Sequence, residues 1–280
     1  MVFIQDDYLH RIETFHHPAR LYINPHLSPS RRETLMKRFI LVILLFSRFS
    51  MSADESLESL IEKINSRLAV SQRDSVYSCR VISKTRTMDK NWKPKTTTVI
   101  EKRMILNGKE NRQEIIRAVE IIKGQETVIT EKIQEKLQKS EEKIEDPEKK
   151  KKKELSLSGE DLIPFQETRR NLYEFQQLPD TLVQGVQLYC IRTRALEPSE
   201  NVYEGLYLIQ PETAAIVVIM IHPSKNPRFV KRLNLEMHFI EMPGDRWVLS
   251  KMHARVFADL LIKKIRMDTE EEYDNYRFIE

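Results

Sequence analysis

Only six glycines occur in 280 residues, and those that can be placed fall at turns. There is no Gly-rich strand-to-helix loop to cradle a phosphate, so nucleotide binding through such a loop is excluded. Cysteine is as scarce: Cys79 and Cys190 are the only two. They are too few for a disulfide scaffold or a cysteine-ligated metal, and both fall at apolar-face positions where a free, buried thiol is common. A bond between them stays conceivable, because an exported chain meets an oxidising compartment. Net charge is small too. The chain carries +4, but 7 of its 46 basic and 4 of its 42 acidic side chains precede Ala53, leaving the remainder at +1. A nearly neutral domain is a poor partner for nucleic acid.

No long hydrophobic run is present either. The run Phe39 to Phe46 follows Met36-Lys37-Arg38 and precedes the small residues Ser50 and Ser52. A basic start, a short apolar stretch and small residues beyond it form the pattern of a secretory signal, and the run is too short for an ordinary membrane-spanning helix. The expected organisation is an over-extended segment over 1-35, a signal peptide over 36-52 and an exported domain over 53-280. The competing reading is a cytoplasmic extension before a signal anchor. No cysteine near the cleavage region offers a lipid attachment point.

What is abundant is strand pattern. From Phe229 the apolar residues Leu233, Leu235, Met237 and Phe239 alternate with Arg232, Asn234, Glu236 and His238, which is the half-buried strand period. Pro243-Gly244-Asp245 supplies turn chemistry, and Trp247 to Phe257 resumes on a second arm. Another strand follows from Leu260 to Tyr273, and Tyr203 to Ile209 and Ala214 to Ile221 form a pair before them. Upstream, Val76 to Met88, Thr96 to Leu106 and Val186 to Ala195 read as strands, with a further one starting at Asn171. Trp92-Lys93-Pro94, Asn107-Gly108, Pro179-Asp180 and Gln184-Gly185 read as turns. Arg112 to Ile122 alternates less cleanly and fits a strand or a short helix.

One amphipathic helix precedes the strands. Leu57, Leu60, Ile61, Ile64 and Leu68 recur at three- and four-residue steps up to Ala69, with Asp54 as the expected cap. Residues 125-154 are rich in Lys, Glu and Gln and read as a solvated helix or an excursion from the sheet. Leu162, Ile163, Pro164 and Phe165 then return to apolar character as a short lid segment. About ten strands emerge. The fold class expected is α+β: a strongly curved antiparallel sheet forming a half-open β-barrel, with an N-terminal amphipathic helix and that lid.

No catalytic constellation accompanies the pattern. Among His222, His238 and His253 the last two lie on opposite arms of one hairpin, where they could approach each other, but two imidazoles without a nearby carboxylate or cysteine fall short of a metal site. An enzyme is not expected, nor a metal or other cofactor. Ala214 to Ile221 is apolar on both faces, which fits either a strand covered on both sides or one side left open as an oily groove. The groove would be lined by Ile216, Val218, Met220, Leu233, Leu235, Met237, Phe239, Trp247 and Leu249.

The amphipathic helix, the long early strands and the run Tyr203-Glu204-Gly205-Leu206-Tyr207-Leu208-Ile209-Gln210-Pro211-Glu212-Thr213 resemble the outer-membrane lipoprotein-sorting proteins, related to the periplasmic lipoprotein carrier. The resemblance extends over about Asp54 to Phe278 and includes the two long strands that follow. It implies a half-open barrel holding lipoprotein acyl chains between membranes. The expected protein is therefore a periplasmic, monomeric carrier whose partners are lipoproteins or lipid acyl chains, with envelope membrane proteins as further candidates. The charged insert 125-154 departs from that pattern, and no ligand-gating arginine can be matched. A non-enzymatic envelope interaction module with a closed core is the alternative.

Overall fold

The computed structural model describes residues 56–71, 76–107, 110–142, 162–183, 185–260 and 263–279, all within the compact unit Ser56–Glu280. The expected signal segment and the Asp54 cap lie outside the described residues. Helix α1 (Leu57–Ser71) is followed by β1 (Val76–Met88), β2 (Pro94–Asn107), β3 (Glu110–Ile122), β4 (Gln125–Val128) and helix α2 (Thr130–Glu142). A short 3-10 turn, Arg170–Leu172, then leads into β5 (Tyr173–Val183), β6 (Val186–Ala195), β7 (Tyr203–Ile209), β8 (Ile216–Pro223), β9 (Val230–Met242), β10 (Arg246–Leu260) and β11 (Lys263–Ile279). All eleven strands join one open, curved antiparallel sheet in the order β4-β3-β2-β1-β11-β10-β9-β8-β7-β6-β5. Every neighbour follows in sequence except β1 and β11, whose pairing brings the two ends of the domain together.

The uncertain segment 112–122 is strand. Lys102 pairs with Ile115 and Glu101 with Arg117, so Ile116 is an extra, bulged residue. That bulge is the reason its apolar residues do not alternate: Ile115 and Ala118 are buried while Ile116 is exposed. The expected turn at Pro179-Asp180 is not a turn. β5 runs through it, with a bulge between Leu178 and Thr181, and an edge strand tolerates a proline whose missing N–H would face solvent. Within the stretch 125–154, β4 and α2 are described. The β4 strand was not foreseen, because its four residues are all exposed and carry no burial pattern. Thr130 Oγ1 accepts from the Ala118 N–H at 3.0 Å, and Gln134 Nε2 donates to the Ile115 carbonyl at 3.2 Å. Thus α2 satisfies backbone groups that would otherwise leave β3 open to edge pairing.

Ser56 caps α1, its Oγ accepting from the Ser59 N–H at 3.2 Å. The helix lays Leu60, Ile61 and Ile64 on one face of the sheet, all at most 3% exposed, against Ile191, Tyr207, Ile209, Ile219, Ile221 and Met237. We call this the inner face. Arg170 binds Glu58 at 2.6 Å and Glu62 at 3.1 Å near one end of the helix. Towards the other, Arg67 reaches Asp245 at 2.5 Å and donates to the Thr213 carbonyl at 3.2 Å. The helix is therefore tied to the β7–β8 and β9–β10 turns as well as to the core.

Candidate functional site: the inner face of the sheet

Paired residues in a ladder share a face. One such row runs Ile219, Met237, Met252, Glu271, Ser83, Ile100 and Ala118 across β8, β9, β10, β11, β1, β2 and β3. Its β8–β9 end lies in the core under α1. Leu235, Phe239, Leu249 and Met252 pack against that core while staying only partly buried, so the apolar surface continues beyond its fully buried centre.

Of the nine expected groove residues, Ile216 and Met237 are in the α1 core, and Leu235, Phe239 and Leu249 border it. Leu233 is half-buried opposite Val256 further along β9. Trp247 is half-buried near the β9–β10 turn, and its indole N–H is buried without an acceptor among the described residues. Val218 and Met220 belong elsewhere: they join Leu188, Cys190 and Leu208 in a small cluster on the opposite face. The cause is a bulge. Leu208 pairs with Val218 and Ile209 with Ile216, leaving Val217 extra and reversing the alternation. Both faces of β8 are therefore largely covered.

The expected lid segment supplies core instead of rim. Phe165 is fully buried, edge-on to Tyr207 with ring centres 5.1 Å apart, and the Tyr207 hydroxyl donates to the Leu162 carbonyl at 2.9 Å. Burial pushes the Tyr207 hydroxyl well above its ordinary pKa, so it stays a donor. Burial likewise raises the Cys79 thiol, and lifts that of Cys190 to about 11, which removes thiolate nucleophilicity at neutral pH. Both cysteines are free. They sit on β1 and β6, six places apart in the strand order, far beyond disulfide reach.

The outer face of β1, β11 and β10 is a charge ladder. Arg80 binds Glu101 at 2.7 Å and Asp274 at 3.3 Å, while Arg86 binds Asp268 at 3.1 Å and Glu270 at 2.9 Å. Contrary to expectation, carboxylates do lie beside a histidine: His253 Nε2 is 2.5 Å from Asp268 Oδ1. His253, Asp268 and Glu270 have the spacing of a metal-ligand trio, but the Arg86 guanidinium already bonds both carboxylates, filling the place a metal ion would need. Arg255, stacked 5.7 Å from Trp92, adds a second positive charge near Asp268.

Burial alone would raise the Asp268 carboxyl. The His253 hydrogen bond and the charges of His253, Arg255 and Arg86 outweigh it and hold the group below the usual carboxylate range. The Arg86 hydrogen bonds lower Glu270 as well. Groups depressed in the fold contribute stability above their unfolded pKa of about 4 and lose it as the pH falls through the lower folded value. Asp268→Asn is expected to cost about 2 kcal/mol at neutral pH, with the gap to wild type closing in acid. Parallel melting curves at neutral pH and in acid check this; a constant gap refutes it.

An open antiparallel sheet with an amphipathic helix on one apolar face defines the class of architecture. No known family model matches the chain, and no curated protein matches it. Solved structures do. A DUF1329 family protein from Desulfovibrio piger is 9% identical, with 80% of this chain and 93% of that one covered at a TM-score of 0.37. A LolA superfamily protein from Nitrosomonas europaea is 11% identical over the same shares, at 0.36. A putative outer membrane lipoprotein-sorting protein domain from Vibrio parahaemolyticus is 9% identical, covering 78% and 91%, at 0.33. The chain is similar to these proteins, and the resemblance read from its residues is met again among them.

Proposed function

We propose that this protein is an exported, non-enzymatic carrier that holds the acyl chains of a lipoprotein, or of another lipid, on the inner face of its sheet. In this reading the sheet curls as a half-open barrel, α1 and residues 162–165 close one part of it, and the partly buried strip on β9 and β10 receives the ligand. The observation that carries the reading is that strip. Leu235, Phe239, Leu249 and Met252 border a fully buried core yet are themselves only partly covered. An alkyl chain laid on them gains about 0.8 kcal/mol for each methylene removed from water, enough for retention without covalent chemistry. Trp247 adds a buried N–H that lacks an acceptor among the described residues and that a ligand carbonyl would satisfy. The signal-like stretch from Met36 to Ser52 supports work in the periplasm.

The test is native mass spectrometry of the chain expressed with export and purified without detergent. Bound phospholipid or acylated peptide, released on denaturation, is the expected result. A clean apo mass together with no uptake of a fluorescent fatty-acyl probe would instead mean a closed core and an interaction module.

A further inference from the structure

The inner face contains one feature that acyl chains alone do not require. Lys102 on β2 and Glu271 on β11 face each other across β1, with Nζ and Oε1 3.5 Å apart and side chains only 17% and 11% exposed. They lie on the inner face because Lys102 pairs with Val81 and Ile115, Val81 pairs with Tyr273, and Glu271 pairs with Ser83 and Met252. Val81, Ile115 and Ser83 are all buried. The pair therefore stands in a nearly dry part of the sheet.

Stability does not account for it. Removing a lysine and a glutamate from water costs several kcal/mol for each ion, and well-packed apolar residues in their place are often as stable or more so. Nor is the pair well made. An ammonium has three donors, and among the described residues Lys102 meets one acceptor, at the long end of hydrogen-bond range. Glu271 is held independently by the Tyr273 hydroxyl at 2.5 Å. Lys102 can consequently turn to another anion while Glu271 stays in place and accepts another donor.

The position relative to the apolar strip is equally specific. Met252, at the edge of the α1 core, is the ladder partner of Glu271, one strand spacing of about 4.8 Å away. An alkyl chain lying over Leu235 and Met252 thus ends beside a positive and a negative group set side by side. The site is neutral overall. A purely anionic head would meet Lys102 but also be repelled by Glu271, whereas a head carrying both signs matches both.

We infer that Lys102 and Glu271 form the head-group end of this face and take a zwitterionic head, its anionic group at Lys102 Nζ and its cationic group at the Glu271 carboxylate. This rests on the acyl-binding reading above and adds the class of head group to it.

The experiment titrates the full chain with three monomeric single-chain lipids of equal chain length: lysophosphatidylethanolamine, lysophosphatidate and a monoacylglycerol. The zwitterion is expected to bind about tenfold tighter than either of the others, the gain of a charge-assisted contact at each end. Lys102→Met is expected to bring the zwitterion to the level of the monoacylglycerol, whose own binding stays as in wild type. Lys102→Arg keeps the preference. Glu271→Gln, by removing the resident negative charge, is expected to turn the preference to lysophosphatidate, a gain that a merely structural glutamate would not produce. The ranking in wild type is read without any variant. Equal binding of all three lipids, or a wild-type preference for lysophosphatidate, overturns the head-group assignment and leaves acyl binding standing. Binding of none overturns both.

Discussion

Gly205→Ala should destabilise the domain by about 3 kcal/mol or more, which for a chain of this size lowers the melting temperature by about 8 °C. Gly205 sits in β7 between Thr193 of β6 and Ile221 of β8, with φ at +155. A Cβ there would lie 2.1 Å from the Met220 carbonyl oxygen and 2.9 Å from the Ile221 Cα. Both obstacles are backbone, so no rotamer change relieves them. The Gly205 N–H also donates to the buried Thr193 Oγ1 at 3.2 Å, a contact that any shift of the main chain here would disturb. Separating β7 from β8 would also disturb Tyr207 and Ile219, both in the core under α1. Gly124 and Gly185 provide the comparison. Their φ values are +83 and +85 and nothing lies within 4 Å of an added Cβ, so alanine there pays only the left-handed penalty of about 1 kcal/mol. Thermal unfolding of the three variants checks the order; a Gly205→Ala protein that melts with wild type would show that the β7–β8 pairing yields at little cost.

The legible part of the fold was the part governed by local alternation. The bounds of β1 and β6 are those the pattern gives, Val76–Met88 and Val186–Ala195, and the meander from Tyr203 onward appears strand for strand. The Lys123-Gly124 turn has φ of +53 and +83, the geometry of a two-residue hairpin, but Lys-Gly is not one of the dipeptides that mark such a turn in a sequence, and β4 stays hidden. Bulges were not legible. An extra residue at Val217 or Ile116 leaves the composition of a strand unchanged but moves every following side chain to the other face, which is why Val218 and Met220 leave the expected groove. At Ser250 a bulge has the opposite effect, placing Leu249 and Met252 on the same face although three positions separate them. Pairing between distant strands was hidden for a different reason. Asp268 meets Arg86, and Glu271 meets Lys102, only because β11 inserts between β1 and β10, and no local pattern carries the register of a closure between the two ends of a domain. The sequence therefore points to where a ligand's chain would lie and is silent about its head.

Two charge insertions, Ile64→Asp and Leu235→Glu, should fail in different ways, and the difference separates a filled core from a binding strip. Ile64 is fully buried between α1 and the sheet. Aspartate there loses the packing of the isoleucine and places a carboxylate among the apolar side chains of the core, so the expected cost is about 4 kcal/mol or more. Arg67 and Arg170 hold the helix from its exposed side, and exposed ion pairs of this kind return about 1 kcal/mol or less. They cannot keep α1 docked against that penalty. Hydrogen exchange should therefore rise along Leu57–Ser71 first, with a large fall in melting temperature. Leu235 is only partly buried at the border of the same core. A glutamate at this place can keep its carboxylate in water, so the expected loss is about 1–2 kcal/mol, and the domain stays folded. Uptake of a fluorescent fatty-acyl probe should nonetheless fall at least about tenfold, because an alkyl chain entering the strip must then desolvate a charge. If Leu235→Glu unfolds the domain as Ile64→Asp does, the strip is core and carries no ligand. If it folds and still takes up the probe as wild type does, the ligand lies elsewhere on the protein.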